Sequence, residues 1–99
     1  MVHVIEILTW NAAENVSDEE MIAAVDNMVP DLKKLPGFKS QTLYKDSTGR
    51  WVDVYCWDTE ENARLSKERT RGKESLNRLM SLLIPEGITM EVMNSVQNS

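Results

Sequence analysis

Two acids, Glu6 and Asp53, stand inside stretches that are largely apolar or aromatic, Val2–Trp10 and Trp51–Trp57. A carboxylate in such surroundings must find a donor or hold its proton, and the same pressure tunes it for general acid–base chemistry. Trp10, Tyr44, Tyr55 and Trp57 accompany them and offer flat faces for stacking a small aromatic molecule. The plain structural role for both acids is a hydrogen bond to an indole or a phenol, or an ion pair with Arg50 or Arg64. Other reactive residues are sparse. His3 is the one histidine and has no metal-binding neighbour in sequence. Cys56 is the one cysteine, and it reads as a small buried hydrophobe. No zinc spacing, glycine-rich phosphate loop or nucleophile triad occurs, so neither a metal nor a cofactor is expected.

The elements that must position these residues follow from periodicity. Val2–Trp10 is rich in β-branched residues and reads as a strand. Ser17 and Glu20 stand at capping-box spacing before a helix whose stripe runs Met21, Val25, Met28, Leu32, Leu35. Pro30 should kink or divide that helix, and Pro36-Gly37 ends it. Phe38–Lys45 is a second strand. Asp46–Gly49 is a turn, and Arg50–Trp57 returns as the third strand of a hairpin. Asp58–Glu61 opens a second helix that Gly72 interrupts before the stripe Leu76, Leu79, Met80, Leu83. Ile88–Val96 is the last strand. The order β-α-β-β-α-β predicts an α+β, ferredoxin-like domain over residues 1–99, with a four-stranded antiparallel sheet and helices on one face.

Strand three alternates cleanly, and it suggests an assignment of faces. Small apolar Val52, Val54 and Cys56 are expected to face the helices, with Trp51, Asp53, Tyr55 and Trp57 on the uncovered face. Strand one then sends Ile5 and Ile7 toward the helices and Glu6, Leu8 and Trp10 outward, and strand two sends Thr42 and Tyr44 outward. A large exposed aromatic patch is rare on a monomer, so this reading implies a homodimer closed through the sheets. The interface is either filled or left hollow around a small aromatic ligand.

Bulk composition narrows the classes. The formal net charge of −5 argues against nucleic acid and against anionic membrane surfaces as partners. The longest apolar run, Met21–Val25, is far short of a membrane span. A single cysteine and no basic-then-apolar opening suit a cytoplasmic protein.

Pro36-Gly37-Phe38, the Gly49–Asp53 hairpin and Trp57-Asp58-Thr59-Glu60-Glu61-Asn62-Ala63 resemble the dimeric α/β-barrel superfamily, of which the antibiotic-biosynthesis monooxygenases are one branch. The resembling pattern includes Asp53 and Trp57 four residues apart, ahead of a helix capped by Thr59. The resemblance implies a homodimer whose two sheets close into a barrel. It also implies a cofactor-independent monooxygenase-like activity on an aromatic or quinone-type molecule, or else a non-catalytic binding or interaction module. Haem-degrading members use a helical histidine, which His3 is not. The catalytic candidates are Asp53 and Glu6. The substrate-binding candidates are Trp10, Tyr44, Tyr55 and Trp57, with Asn11 added by the resemblance.

Overall fold

The computed structural model describes residues 3–99; the expected strand residue Val2 lies outside that range. The elements run β1 (Val4–Trp10), α1 (Asp18–Lys33), β2 (Phe38–Lys45), β3 (Trp51–Trp57), α2 (Glu60–Thr70), α3 (Glu74–Met80) and β4 (Thr89–Asn94). The strands form one antiparallel sheet in the order β2-β3-β1-β4. This is the ferredoxin-like α+β arrangement, with the second helical stretch divided in two.

Local chemistry explains the boundaries. Ser17 Oγ accepts from the Glu20 amide at 3.1 Å, and the Glu20 carboxylate accepts from the Ser17 amide at 3.1 Å, which closes the capping box of α1. Helix α1 runs unbroken through Pro30 instead of dividing there. Its buried stripe of Met21, Val25, Met28 and Leu32 holds it to the core on either side of the proline, which outweighs one lost backbone bond. The Asp46 carboxylate accepts from the Thr48 and Arg50 amides at 2.8 and 3.0 Å and shapes the β2–β3 turn. Thr59 caps α2 through the Asn62 amide at 3.1 Å, and Gly72 (φ 82°) separates α2 from α3 as expected.

The faces of β1 and β3 are the reverse of the sequence expectation. Trp51, Asp53, Tyr55 and Trp57 are all buried beneath the helices, while Val52, Val54 and Cys56 are half-buried on the uncovered face. In β1, Val4, Glu6, Leu8 and Trp10 share the helix side, and Ile5, Ile7 and Thr9 lie opposite Cys56, Val54 and Val52 on the other. The reason is volume. The space under three helices is deep and takes bulky indoles and a phenol, with Phe38, Tyr55 and Trp57 meeting edge-to-face at 5.5–6.4 Å. The uncovered face is left flat and β-branched, a surface fit for another sheet. In β2 the expected outward pair holds: Thr42 and Tyr44 pair with Val54 and Val52 on the uncovered face, and Tyr44 is 55% exposed.

One corner fastens the site-bearing strand. The Asp58 amide donates to the Gly37 carbonyl at 2.9 Å, tying the α1–β2 turn to the end of β3. Gly37 adopts φ 78°, and a Cβ there would fall 2.0 Å from Asp58 Oδ1, an oxygen that Asn62 already engages at 2.8 Å. Gly37→Ala is therefore expected to destabilise the fold by about 1–3 kcal/mol, read as a lower denaturation midpoint with an unchanged m-value. An unchanged midpoint would show that the corner yields freely.

Candidate functional site

The reversed faces move the site from the open side of the sheet to the space between sheet and helices. A cavity of about 460 Å³ lies there. Its floor is Glu6, Leu8, Trp10 and Tyr55 from the sheet, joined by Met90 from β4. Met28 and Leu32 of α1, Leu76, Leu79 and Met80 of α3, and Leu83 and Ile88 beyond them make apolar walls. Helix α2 contributes Ser66, Lys67 and Thr70. The buried residues of α2 are Ala63, Ser66 and Thr70. Where a core helix would normally present Leu or Ile, these short side chains leave the space unfilled.

Glu6 is the carboxylate in this wall and is 1% exposed. Trp57 Nε1 donates to its Oε1 at 3.0 Å, and Ser66 Oγ lies 3.0 and 3.1 Å from its two oxygens. The same Ser66 hydroxyl lies 2.8 Å from the Ala63 carbonyl. One hydroxyl proton cannot serve both partners at full strength. With Glu6 ionised, Ser66 donates to the carboxylate. With Glu6 protonated, the acid can donate to Ser66 Oγ while Ser66 donates to Ala63. Both protonation states are thus satisfied without moving a heavy atom. Burial pushes the Glu6 pKa above the usual carboxylate range. The Ser66 and Trp57 bonds pull it back, and the charge of Asp53 adds to the rise. A raised, alternately bonded carboxyl in an apolar hollow is suited to take up and return a proton.

Asp53 lies behind this wall and does not line the cavity. It is fully buried, its Oδ1 accepts from Gln41 Nε2 at 2.6 Å, and its Oδ2 makes no well-formed hydrogen bond to the described residues. Burial pushes its pKa up to about 6, against the pull of Gln41 and Tyr55. Tyr55 does line the cavity, and burial followed by the charge of Asp53 holds its phenol well above the ordinary value, so it stays protonated. Of the two possible ion-pair partners for the acids, Arg50 donates instead to Thr9 Oγ1 and the Gly87 carbonyl, and Arg64 pairs with Glu60 at 2.7 Å.

Among the sequence candidates, then, Glu6, Trp10 and Tyr55 meet in the cavity wall, and Trp57 and Asp53 stand behind it. Tyr44 lies on the far side of the sheet. Asn11 is exposed outside the cavity, where its carbonyl accepts from the Ile84 amide at 2.9 Å and fixes the chain after α3. Cys56 is on the uncovered face, not against the helices, because it alternates with the large residues that fill the core. His3 is exposed. Ser66 and Gln41, which hold the two acids, went unrecognised in the sequence. The available signal was the run of short residues Ala63, Ser66 and Thr70 on one side of a helix.

No family profile matches the chain, and no curated protein matches it by sequence. Solved structures do match in shape. SnoaB, a cofactor-independent oxygenase from Streptomyces nogalater, superposes in a variant form with a TM-score of 0.77 at 13% identity, over 97% of this chain and 95% of its own. A candidate antibiotic biosynthesis monooxygenase from Bordetella bronchiseptica gives 0.77 at 16% identity, over 98% of this chain and 100% of its own. A Nitrosomonas europaea protein of unknown function gives 0.72 at 10%, over 100% and 94%. At these identities the likeness is one of fold, and it matches the fold the sequence resemblance implied; activity must be argued from the site. Among the described residues no helix is long and apolar enough to cross a membrane.

The sign of the Asp53 effect can be tested. Its folded pKa of about 6 exceeds the unfolded value of about 3.9, so the folded state holds the proton more tightly. The stability this confers is complete below about pH 4 and is lost as pH rises through 6. Asp53→Asn removes that loss. Relative to the unaltered protein, the variant is expected to gain on the order of 3 kcal/mol between pH 4 and pH 7, measured by urea denaturation at each pH. A difference that stays flat across that range would mean Asp53 titrates normally.

Proposed function

We propose that this protein is a small homodimeric enzyme of the cofactor-independent monooxygenase kind, acting on a small aromatic or quinone-type molecule held in the cavity under the helices. The observation that carries the reading is Glu6: a buried, raised carboxyl at the wall of an otherwise apolar hollow, with a hydroxyl that can serve either protonation state. Glu6 is the general base. It takes a proton from an acidic carbon of a phenolic substrate, and the cavity stabilises the flat, delocalised carbanion by excluding water. That carbanion gives one electron to dioxygen, and the resulting radical pair combines to form a C–O bond. The hydroperoxide then loses water to leave a carbonyl, so that a CH₂ group and O₂ become C=O and H₂O. Tyr55 donates from its neutral phenol, and Asp53 positions Tyr55 from behind without touching the substrate. The fold shared with SnoaB supports the reading by analogy.

The uncovered face supports the dimer. Ile5, Ile7, Val52, Val54 and Cys56 make a flat, mostly apolar surface on the side of the sheet that carries no helix, with Tyr44 and Met93 exposed at 55% and 39% beside it. A second copy laid sheet to sheet would cover it.

Glu6→Gln should lower oxygen-dependent turnover of an anthrone- or naphthol-type substrate by roughly 10²–10⁴-fold while leaving its binding within a few-fold. Unchanged turnover would remove Glu6 from the chemistry, and binding without any turnover by the unaltered protein would favour a ligand-binding module. Light scattering should find two 11.3 kDa chains per particle, and Val54→Asp should give single chains that remain folded. A single-chain mass for the unaltered protein at micromolar concentration would overturn the dimer.

A further inference from the structure

Every buried polar side chain that α2 and β1 bring to the cavity is partnered among the described residues, with one exception. Glu6 is held by Trp57 and Ser66, and Thr70 Oγ1 donates to the carbonyls of Ser66 and Lys67. Trp10 lines the same cavity at 2% exposure, and its Nε1 has no acceptor among the described residues. The contrast with the other indole of the site is direct, because Trp57 Nε1 donates to Glu6 at 3.0 Å. A buried N–H left without an acceptor is destabilising, and a phenylalanine would keep much of the apolar contact without that cost.

We propose that the Trp10 indole N–H is a specificity-determining donor for the cavity's ligand, and that it selects molecules carrying a neutral carbonyl-type oxygen over hydrocarbons of the same shape. The inference rests on the ligand-binding reading of the cavity. The class of acceptor follows from the charges nearby. Glu6 shares the wall and Asp53 lies behind it, so an anionic oxygen would meet two carboxylates, while the one cation lining the cavity, Lys67, is exposed on α2. A neutral keto or quinone oxygen avoids that repulsion and still accepts a full hydrogen bond. Trp10 and Glu6 also lie four residues apart on one face of β1 with Leu8 between them, roughly 13 Å along the strand. A ligand held at Trp10 by its oxygen therefore extends over Leu8 toward Glu6 with its opposite end. Trp10 in this role orients the molecule, and Glu6 acts on what is presented.

The test uses two unreactive probes of equal shape, α-tetralone and tetralin, titrated against the full chain and its Trp10→Phe variant by calorimetry. Trp10→Phe is expected to weaken α-tetralone by roughly tenfold and to leave tetralin unchanged. In the unaltered protein, the Trp10 indole N–H resonance is expected to move downfield with α-tetralone and to stay in place with tetralin. This second readout does not depend on the variant folding. Equal weakening of both probes would make Trp10 a shape contact only. No weakening of either, with an unmoved resonance, would show that the N–H serves an internal water. Both results overturn the proposal and leave the cavity reading intact. If neither probe binds the unaltered protein at millimolar concentration, the cavity reading fails and the proposal falls with it.

Discussion

A carboxylate cannot be left bare beneath a helix, and much of this structure is arranged around the one that sits there. Glu6 on β1 takes a bond from the indole of Trp57 on β3 and another from the hydroxyl of Ser66 on α2. One side chain on β1 is thus tied to β3 and α2, more than 50 residues further along the chain. Losing either donor would leave a buried acceptor short of a partner, at a cost comparable to the net gain from several ordinary hydrogen bonds. The same arrangement forces the face of β1: once Glu6 points under the helices, the period of two carries Val4, Leu8 and Trp10 with it. Cross-strand pairing then carries Asp53, Tyr55 and Trp57.

The second constraint is the thinness of α2 on its inner side. Ala63, Ser66 and Thr70 approach the sheet closely near Glu6, yet they do not fill the space toward α3. A protein of 99 residues has little core to spare, and a hollow of this size forgoes contacts that would otherwise stabilise it. The polar hydroxyls cannot simply be exchanged for leucines, because Ser66 is also a partner of Glu6. Stability given up at one place and a satisfied acid at the same place belong to one design, the usual pattern where a site is built into a core.

The element order was legible because it depends on local signals: the Ser17–Glu20 box, the Asp46–Gly49 turn, the Gly72 break and the periodicities of α1 and β3. The assignment of faces was not, because it depends on what lies above the sheet. Taking the small residues Val52, Val54 and Cys56 as the core face treated the helix layer as tightly packed. The actual layer is deep enough for indoles, and the small β-branched face suits flat sheet packing. Glu6, Tyr55 and Trp10 still came together as candidates, since the inversion moved β1 and β3 as a unit. Tyr44 lies apart from them because β2 keeps the face its sequence suggests while β1 and β3 are inverted. Asn11 fell away because it follows the end of β1, where alternation no longer governs. Ser66 and Gln41 were invisible for a general reason: a buried acid's partner is chosen in three dimensions, and nothing in the spacing of 6 and 66, or of 41 and 53, announces it.

Two acids that look alike in sequence are given different work by their surroundings. Both have pKa values raised by burial. Glu6 has two donors, one of which can reverse its sense, and it borders empty space. Asp53 has one well-formed donor, Gln41, and an oxygen without a well-formed hydrogen bond, and it borders only side chains. A proton can be exchanged with a bound molecule at the first position, whereas at the second it can only be stored or felt through Tyr55. Environments that separate two titratable groups in this way assign acid–base roles without any difference in residue chemistry. Here the division follows from a register of β1 and β3 that places Glu6 opposite Tyr55 and Asp53 opposite Leu8. The sheet pairing that builds the fold therefore also determines which carboxylate meets the cavity.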